Sequence, residues 1–524
     1  MTARYVAPNP SPASGWKLER VTAPSRLFGA NGLRTGPDGR IYIAQVTGSQ
    51  VSALDLATGA VEAISPKGGD IISPDDVAFA DDGTLIATEV MEGRVSARDT
   101  AGRTRVLRGD LPSANGITVH QGRLFVGECR DGGRLMELPL DGSQPRVLLD
   151  NLPSPNAMEV GPDGFLYYPL MTANEIWRVH PDGGEPQRVA ADLGVPDAVK
   201  FDPQGFIVST QVASGQVLRI DPRSGDKTVL AQLNPGLDNL TFVGDRLFVS
   251  NFTGEITEIR PDGSTATTLP GGLNWPLDLT FVDGRLHVAD GTYFYAVGED
   301  GSLQTVGMLF SPGYPGFLRG VTAVGSGEFV VTTSGGQVGR YRPAANETDF
   351  LATDFDQLYG VAVDGDAIVF AELGTGTVHS LRSGTTEALA TGLDAPVGVA
   401  IGPDGAVLVA ESGAGRIVRI DGGHDTVVDG LQQPQGITVL GDALYIVDAG
   451  AKEVIEYDLN TRQRTTIASG LPVGPPPGVE PKPLKGMPPF SGPQGPFAGI
   501  TAGPDGTLYV SADGDGSVLA VRRG

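Results

Sequence analysis

Leu152-Pro-Ser-Pro-Asn-Ala-Met-Glu-Val-Gly-Pro-Asp-Gly-Phe-Leu-Tyr-Tyr168 is the stretch whose reading decides the fold. It reads as a loop, an inward-facing Asn156, a short strand (Ala157 to Gly161), a Pro-Asp-Gly turn and a second strand (Phe165 to Tyr168). A Pro-Asp-Gly triplet between two apolar runs is a hairpin signal with a mechanism. Proline presets φ, the Asp carboxylate bonds back to the backbone, and glycine accepts a left-handed conformation. The same unit recurs along the whole chain, and what changes from copy to copy is the residue at the Asn156 position.

Working outward, the first copies are Asn31-Gly-Leu-Arg-Thr…Ile41-Tyr-Ile-Ala-Gln45 and Asp75-Asp-Val-Ala-Phe…Leu85-Ile-Ala-Thr-Glu89. Others begin at Asn115, Asp197 and Asp238, and six more at Leu277, Arg319, Tyr359, Val397, Gln435 and Ala498. From Asp75 to Asp238 the starts lie 40 or 41 residues apart. A unit of about 40–50 residues with four strands is the period of a propeller blade. Propellers typically have about 4–8 blades, so twelve units divide most economically into six plus six. The expected fold is all-β, two tandem six-bladed β-propellers. Trp16–Val21 is a lone outer-strand candidate. It is expected to close the first propeller (22–263) by completing the sixth blade, with Ser264–Leu269 completing the twelfth blade of the second propeller (264–524), since such a swap removes open sheet edges. A Pro-rich insertion at 471–497 enters the start of the last inner strand. It should lie over the inner-strand starts of the second ring, as a structural cover or a lid.

The totals agree with this architecture and exclude several functions. The chain has 524 residues, with 75 Gly and 40 Pro, which at regular intervals mean turns rather than disorder. A net charge of −24 makes nucleic acid an unsuitable partner. One cysteine, Cys129, excludes a disulfide framework and a Cys-based zinc site. The N-terminus has no apolar signal region and no stretch approaches a membrane span, so a cytoplasmic protein is expected.

The first residue of each inner strand carries the functional signal. In the first ring these are Asn31, Asp75, Asn115, Asn156, Asp197 and Asp238, every one an amide or a carboxylate. The second ring has the same loops without those residues, so turn chemistry alone does not explain them. Inner strands line a central channel, and six side chains at one level converge on its axis. Three carboxylates there repel unless they share protons or a cation. Oxygen-only donors suit one divalent cation, Ca²⁺ foremost, with Mg²⁺, Mn²⁺ and Zn²⁺ as alternatives. Glu89 and Glu128, at the ends of second strands, are expected near that ion at the channel mouth. The adjoining Cys129 reads as a small buried residue, and a Glu159–Lys200 ion pair is expected between blades, on the side opposite Asp197.

At these residues the first half resembles the SMP-30/gluconolactonase-like six-bladed propellers, and the wider group with diisopropyl-fluorophosphatase and paraoxonase-type lactonases. Ser154-Pro-Asn156-Ala-Met resembles the family's Pro-Asn-Gly blade, Val195-Pro-Asp197-Ala-Val its Pro-Asp-Gly blade, and Asn115-Gly-Ile its third-blade Asn. The resemblance implies one divalent cation on the axis and an Asp197 that is both ligand and base. Asn31 replaces the family's first-blade Glu, and Asp75 or Asp238 would restore the charge. The expected function is a metal-dependent hydrolase, lactonase- or esterase-like, acting on a small molecule. Asp197 is the first candidate base, with Glu128 and Glu89 as alternatives. A lyase, hydratase or isomerase on the same metal is a second reading. A non-catalytic tandem-propeller scaffold with a structural cation is a third. The five histidines do not match a His-based mechanism: His120 follows its strand to the far end and His180 sits in an outer turn.

Overall fold

The computed structural model describes Arg4 and residues 9–524. Its strands form twelve antiparallel sheets, eleven with four strands and one with five, and no α-helix occurs among the described residues. The inner strands of the first six blades are Leu33–Thr35, Pro74–Phe79, Ala114–His120, Glu159–Val160, Pro196–Phe201 and Leu237–Val243. Each touches the next, and the sixth returns to the first. The inner strands of blades 7 to 12 form a second closed cycle of the same kind. The chain is therefore two six-bladed propellers.

Stacking of blades explains the sequence pattern. The second strand of each blade is covered on both faces, so Ile41–Gln45, Leu85–Glu89, Leu166–Leu170 and Ile207–Gln211 are buried at every position. Such strands read as continuous apolar runs, where a half-exposed strand alternates. The core consists of layers between neighbouring blades. One layer joins Leu33 and Ile43 of blade 1 to Phe248 and Ile256 of blade 6 and seals the first ring. Each fully buried side chain of this size contributes about 1.5–3 kcal/mol. The hairpin turns behave as read: Gly164 has φ +81°, and Asp163 Oδ1 accepts the Phe165 amide at 3.2 Å.

Ring closure differs from the expectation. Thr265–Leu269 pairs with Ile256–Ile259 of its own sixth blade, and Trp16–Arg20 pairs with Ser517–Arg523 of the twelfth. The reason is local. A Pro261-Asp262-Gly263 turn returns the chain beside blade 6, with Arg260 N donating to Ser264 O at 2.8 Å. The edge of Ser517–Arg523 is covered by Trp16–Arg20 instead. The first compact unit is Arg26–Gly271 with Glu480–Leu484. The second is Met1–Ser25, Gly272–Val479 and Lys485–Gly524. In chain order, the first propeller is thus inserted after the outermost strand of the second. Within the second unit the insertion meets the inner-strand starts as expected: Phe497 lies edge-on to Tyr359, with ring centroids 5.9 Å apart.

Inner strands approach each other too closely for ordinary side chains just after the ring position. A Cβ on Gly116 would stand 2.3 Å from the carbonyl oxygen of Asn156. Gly116→Val is therefore expected to push Asn156 outward and to lower stability by about 1–3 kcal/mol, read in urea denaturation.

Candidate metal centre on the axis of the first ring

An extra residue at the head of the inner strands sets the site. Pairing slips by one residue between Pro74 and Val77, Ala114 and Ile117, Pro196 and Val199, and Leu237 and Leu240. Each slip is a β-bulge, which bends the strand and re-aims a side chain. Asp75, Asn115, Asp197 and Asp238 stand at these bulges. With Asn156 they are 2–7% exposed, and Asn31 is half-buried.

The six side chains come together. Asn31 Nδ2 donates to Asp238 Oδ2 at 2.9 Å, and Asn156 Nδ2 donates to Asp197 Oδ2 at 2.9 Å. Asp197 and Asp238 are hydrogen-bonded to each other, and Asn115 bonds Asp75. Burial raises Asp75 to about 7, with Asp76 adding to the rise and Asn115 opposing it. Burial, then the charges of Asp75 and Asp76, push Asp197 well up. Burial, then Asp197 and Asp75, do the same to Asp238. Without a cation the three carboxyls share protons at neutral pH.

Two amide oxygens lack partners. The Asn156 amide spends its protons on Asp197 and on Met171 Sδ, at 2.9 and 3.0 Å, so its oxygen points elsewhere. Asn156 Oδ1 and Asn115 Oδ1 are both buried and unbonded. A buried acceptor without a donor is costly. Two such acceptors beside three crowded carboxyls are what a hard cation would satisfy, and the donor set fits one. Among the described residues no group of three or more His, Cys, Asp or Glu is arranged to hold a metal ion. The channel set is half amides.

Glu89 and Glu128 do not join this ring. Glu89 accepts from Arg94 Nε at 2.8 Å, Arg94 NH2 at 2.6 Å and Ile72 N at 2.7 Å, and also bonds Ser96 Oγ. Glu128 takes Arg134 Nε at 2.9 Å and Arg130 NH2 at 3.4 Å. Both carboxylates are fully buried and neutralised by arginines of their own blades, which removes the reason to treat either as a base. Cys129 is buried and hydrogen-bonded to Asn115. Burial, then Asp197, Asp75 and Asp238, push its thiol well up, so it is no nucleophile. His120 pairs with Arg123 at the far turn of blade 3, and His180 packs against Phe165 at an outer turn.

A second tier lies three residues further along the inner strands, and the sequence reading saw only part of it. Glu159 Oε2 accepts from Lys200 Nζ and from Arg34 NH1, each at 2.9 Å. Arg34 NH2 also donates to Ile117 O at 2.8 Å. The bulge resets the alternation, so Lys200 is not turned away from the acidic residues: it and Arg34 act on the buried Asp76. Burial alone would raise Glu159, but Lys200 and Arg34 bring it down to about 2. Glu159→Ala removes the carboxylate shared by the buried Lys200 and the part-buried Arg34 and is expected to cost about 3–5 kcal/mol in chemical denaturation. Aligning the blades three residues past the ring would have found Arg34 beside Glu159 and Lys200. Asp76 stands where blades 1, 3, 4 and 5 have Gly or Ala, which was also a visible signal.

Among the described residues no helix is long and apolar enough to cross a membrane. No curated protein matches the sequence. Solved structures similar to the chain include regucalcin, a calcium-binding protein from Agrobacterium tumefaciens, at 20% identity and TM-score 0.36, covering 45% of this chain and 85% of that one. A gluconolactonase from Xanthomonas campestris is similar at 19% identity and TM-score 0.39, covering 48% and 97%. Virginiamycin B lyase from Staphylococcus aureus is similar at 17% identity and TM-score 0.39, covering 55% and 98%. Residues 15–252, which take in most of the first propeller, match the family model of the SMP-30/Gluconolactonase/LRE-like region.

Proposed function

We propose that the first propeller is a divalent-metal-dependent hydrolase of the lactonase or esterase type, acting on a small molecule at the channel mouth. The observation that carries this reading is the pair of orphaned amide oxygens, Asn115 Oδ1 and Asn156 Oδ1, beside three buried carboxyls. The family match points the same way. Asn115, Asn156, Asp197 and Asp238 would hold the ion, with Asp75 and Asn31 completing the ring. Ca²⁺ is the proposed ion, because the donors are oxygens only. When bound, such an ion supplies Lewis acidity toward a carbonyl oxygen and the charge that gathers on it.

The protein's own groups do the rest. Asn156 Nδ2 fixes Asp197 through Oδ2, and Asp197 would act as general base toward water. Asn31 holds Asp238 in the same way. The Arg34–Glu159–Lys200 cluster stiffens the strands that carry Asn31, Asn156 and Asp197. The test is a panel of γ- and δ-lactones and aryl esters, assayed before chelation, after it, and after return of Ca²⁺ or Mn²⁺. Activity that is lost and restored supports the reading. Hydrolysis unaffected by complete metal removal contradicts it, and no hydrolysis of any panel member by metal-loaded protein favours a binding scaffold.

A further inference from the structure

The second ring holds a buried arginine without a counter-ion. Arg319 occupies in blade 8 the place that Asp75 has in blade 2. It is 1% exposed and heads the largest fully buried side chains. NH1 donates to Gln494 Oε1 at 3.2 Å, while NH2 is buried and has no partner. The guanidinium carbon stands 4.2 Å from the ring centroid of Tyr359 and 5.9 Å from that of Trp275. Aromatic faces attract a cation but carry no net charge. The nearby ring carboxylate, Asp278, is spent on the amides of Leu279 and Val321, at 3.0 and 2.9 Å. Burial lowers the pKa of Arg319, Tyr359 opposes this as a side-chain hydrogen-bond partner, and no carboxylate is among the groups acting on it.

Buried charges in proteins are paired, because an isolated one forfeits its hydration. Arg319 is half of such a pair. We propose that it anchors a binding site for a small carboxylate anion on the axis of the second propeller. A guanidinium fork fits a carboxylate with parallel hydrogen bonds, and NH2 is free to make one. A single unpaired cation matches a single negative charge, and Trp275 and Tyr359 offer flat walls to an organic substituent. A cavity of about 230 Å³ is lined by residues further along the inner strands, among them Asp278, Val321, Gly360 and Gly398.

The Pro-rich insertion completes the site. Gln494, which holds NH1, is itself held by Ser334 Oγ at 2.8 Å. The Gly492 amide donates to the same hydroxyl at 3.2 Å. Gly495 must lack a side chain, since a Cβ there would stand 2.4 Å from the Tyr359 hydroxyl. The insertion is thus shaped to the arginine rather than merely laid over it.

The test uses the full chain and sodium acetate as probe. Trp275 is one of three tryptophans and reports on the site by its fluorescence. A saturable one-site change on acetate addition is expected, with none from sodium chloride at the same ionic strength. The change should persist after chelation and in Asp197→Asn, since the site is independent of the first ring. Trp275→Phe should remove the optical signal while calorimetry still detects acetate. Arg319→Met should weaken acetate binding at least tenfold, and in acetate-free buffer should melt no lower than the wild type. Arg319→Gln carries the same binding expectation if the methionine variant fails to fold. No saturable response to acetate, an equal response to chloride, or binding retained in the arginine variants would overturn the proposal.

Discussion

Asp197→Asn is expected to abolish metal binding and to lower hydrolysis about 10²–10³-fold or more, the scale of losing one preorganised electrostatic partner. The substitution keeps the size and the hydrogen bonding of the side chain, so the propeller should remain folded. Its effect on stability should depend on metal. In chelated protein, Asp197 is crowded by Asp75 and by a hydrogen-bonded Asp238. Removing one of three repelling acids should then raise the melting temperature. With Ca²⁺ present, the wild type gains binding free energy that the variant lacks, about 2.7 kcal/mol when the ion is at 100 times its Kd. The order of melting temperatures should therefore cross between chelator and calcium. Calorimetric scans of both proteins in both buffers check this. A variant that binds Ca²⁺ as tightly as the wild type removes Asp197 from the ligand set.

The chelated wild type should lose stability as pH rises from about 4 to about 7. Asp75 titrates near 7 in the folded chain, against 3.8 for an ordinary carboxyl. The folded state therefore binds more protons than the unfolded state across that interval. By linkage, stability is fully present below the unfolded value and is lost as pH climbs through the folded one. For Asp75 alone the span is roughly 4 kcal/mol, and Asp197 and Asp238 shift in the same direction. Glu159 works oppositely: held near 2 by Lys200 and Arg34 against its burial, it contributes above about 4.5 and is lost only in stronger acid. Bound Ca²⁺ takes the place of the shared protons, so the part of the decline that comes from the ring should vanish in its presence, leaving that of Asp278 and Asp290, which burial also raises to about 7. Urea midpoints at pH 4, 5.5 and 7, with and without Ca²⁺, give the comparison. A change from pH 4 to pH 7 that is the same in chelator and in Ca²⁺ contradicts the shared-proton picture of the ring.

The blades were legible because their signals are local and repeated. Glycine-containing hairpin turns, buried second strands and a spacing of about 40 residues recur in most copies, and four of the turns from inner to second strand are Pro-Asp-Gly. The ring residues were legible for the same reason, as six aligned positions differing between two otherwise similar halves. Ring closure was misread because sheet-edge protection does not choose between partners. The turn at Pro261–Gly263 decides it, by returning the chain to its own blade. Lys200 was placed on the wrong side because a bulge leaves no mark in the apolar pattern, yet shifts the alternation by one. Glu89 and Glu128 looked available because only their strand ends were considered. Glu89 faces Arg94 directly across its hairpin, a pairing readable from the two strands together. Arg319 stood in plain view in the second ring, but its isolation from every acid is a property of three-dimensional packing alone.

The central claim is that Asn115, Asn156, Asp197 and Asp238 hold a divalent ion on the axis of the first propeller. Elemental analysis of purified protein, before and after chelation and after equilibration with Ca²⁺, tests it most directly. The account predicts one ion per chain, removed by chelator, restored by Ca²⁺, and missing from Asp197→Asn. Protein that takes up no Ca²⁺ or Mn²⁺, or an Asp197→Asn variant that still holds one ion per chain, would contradict it.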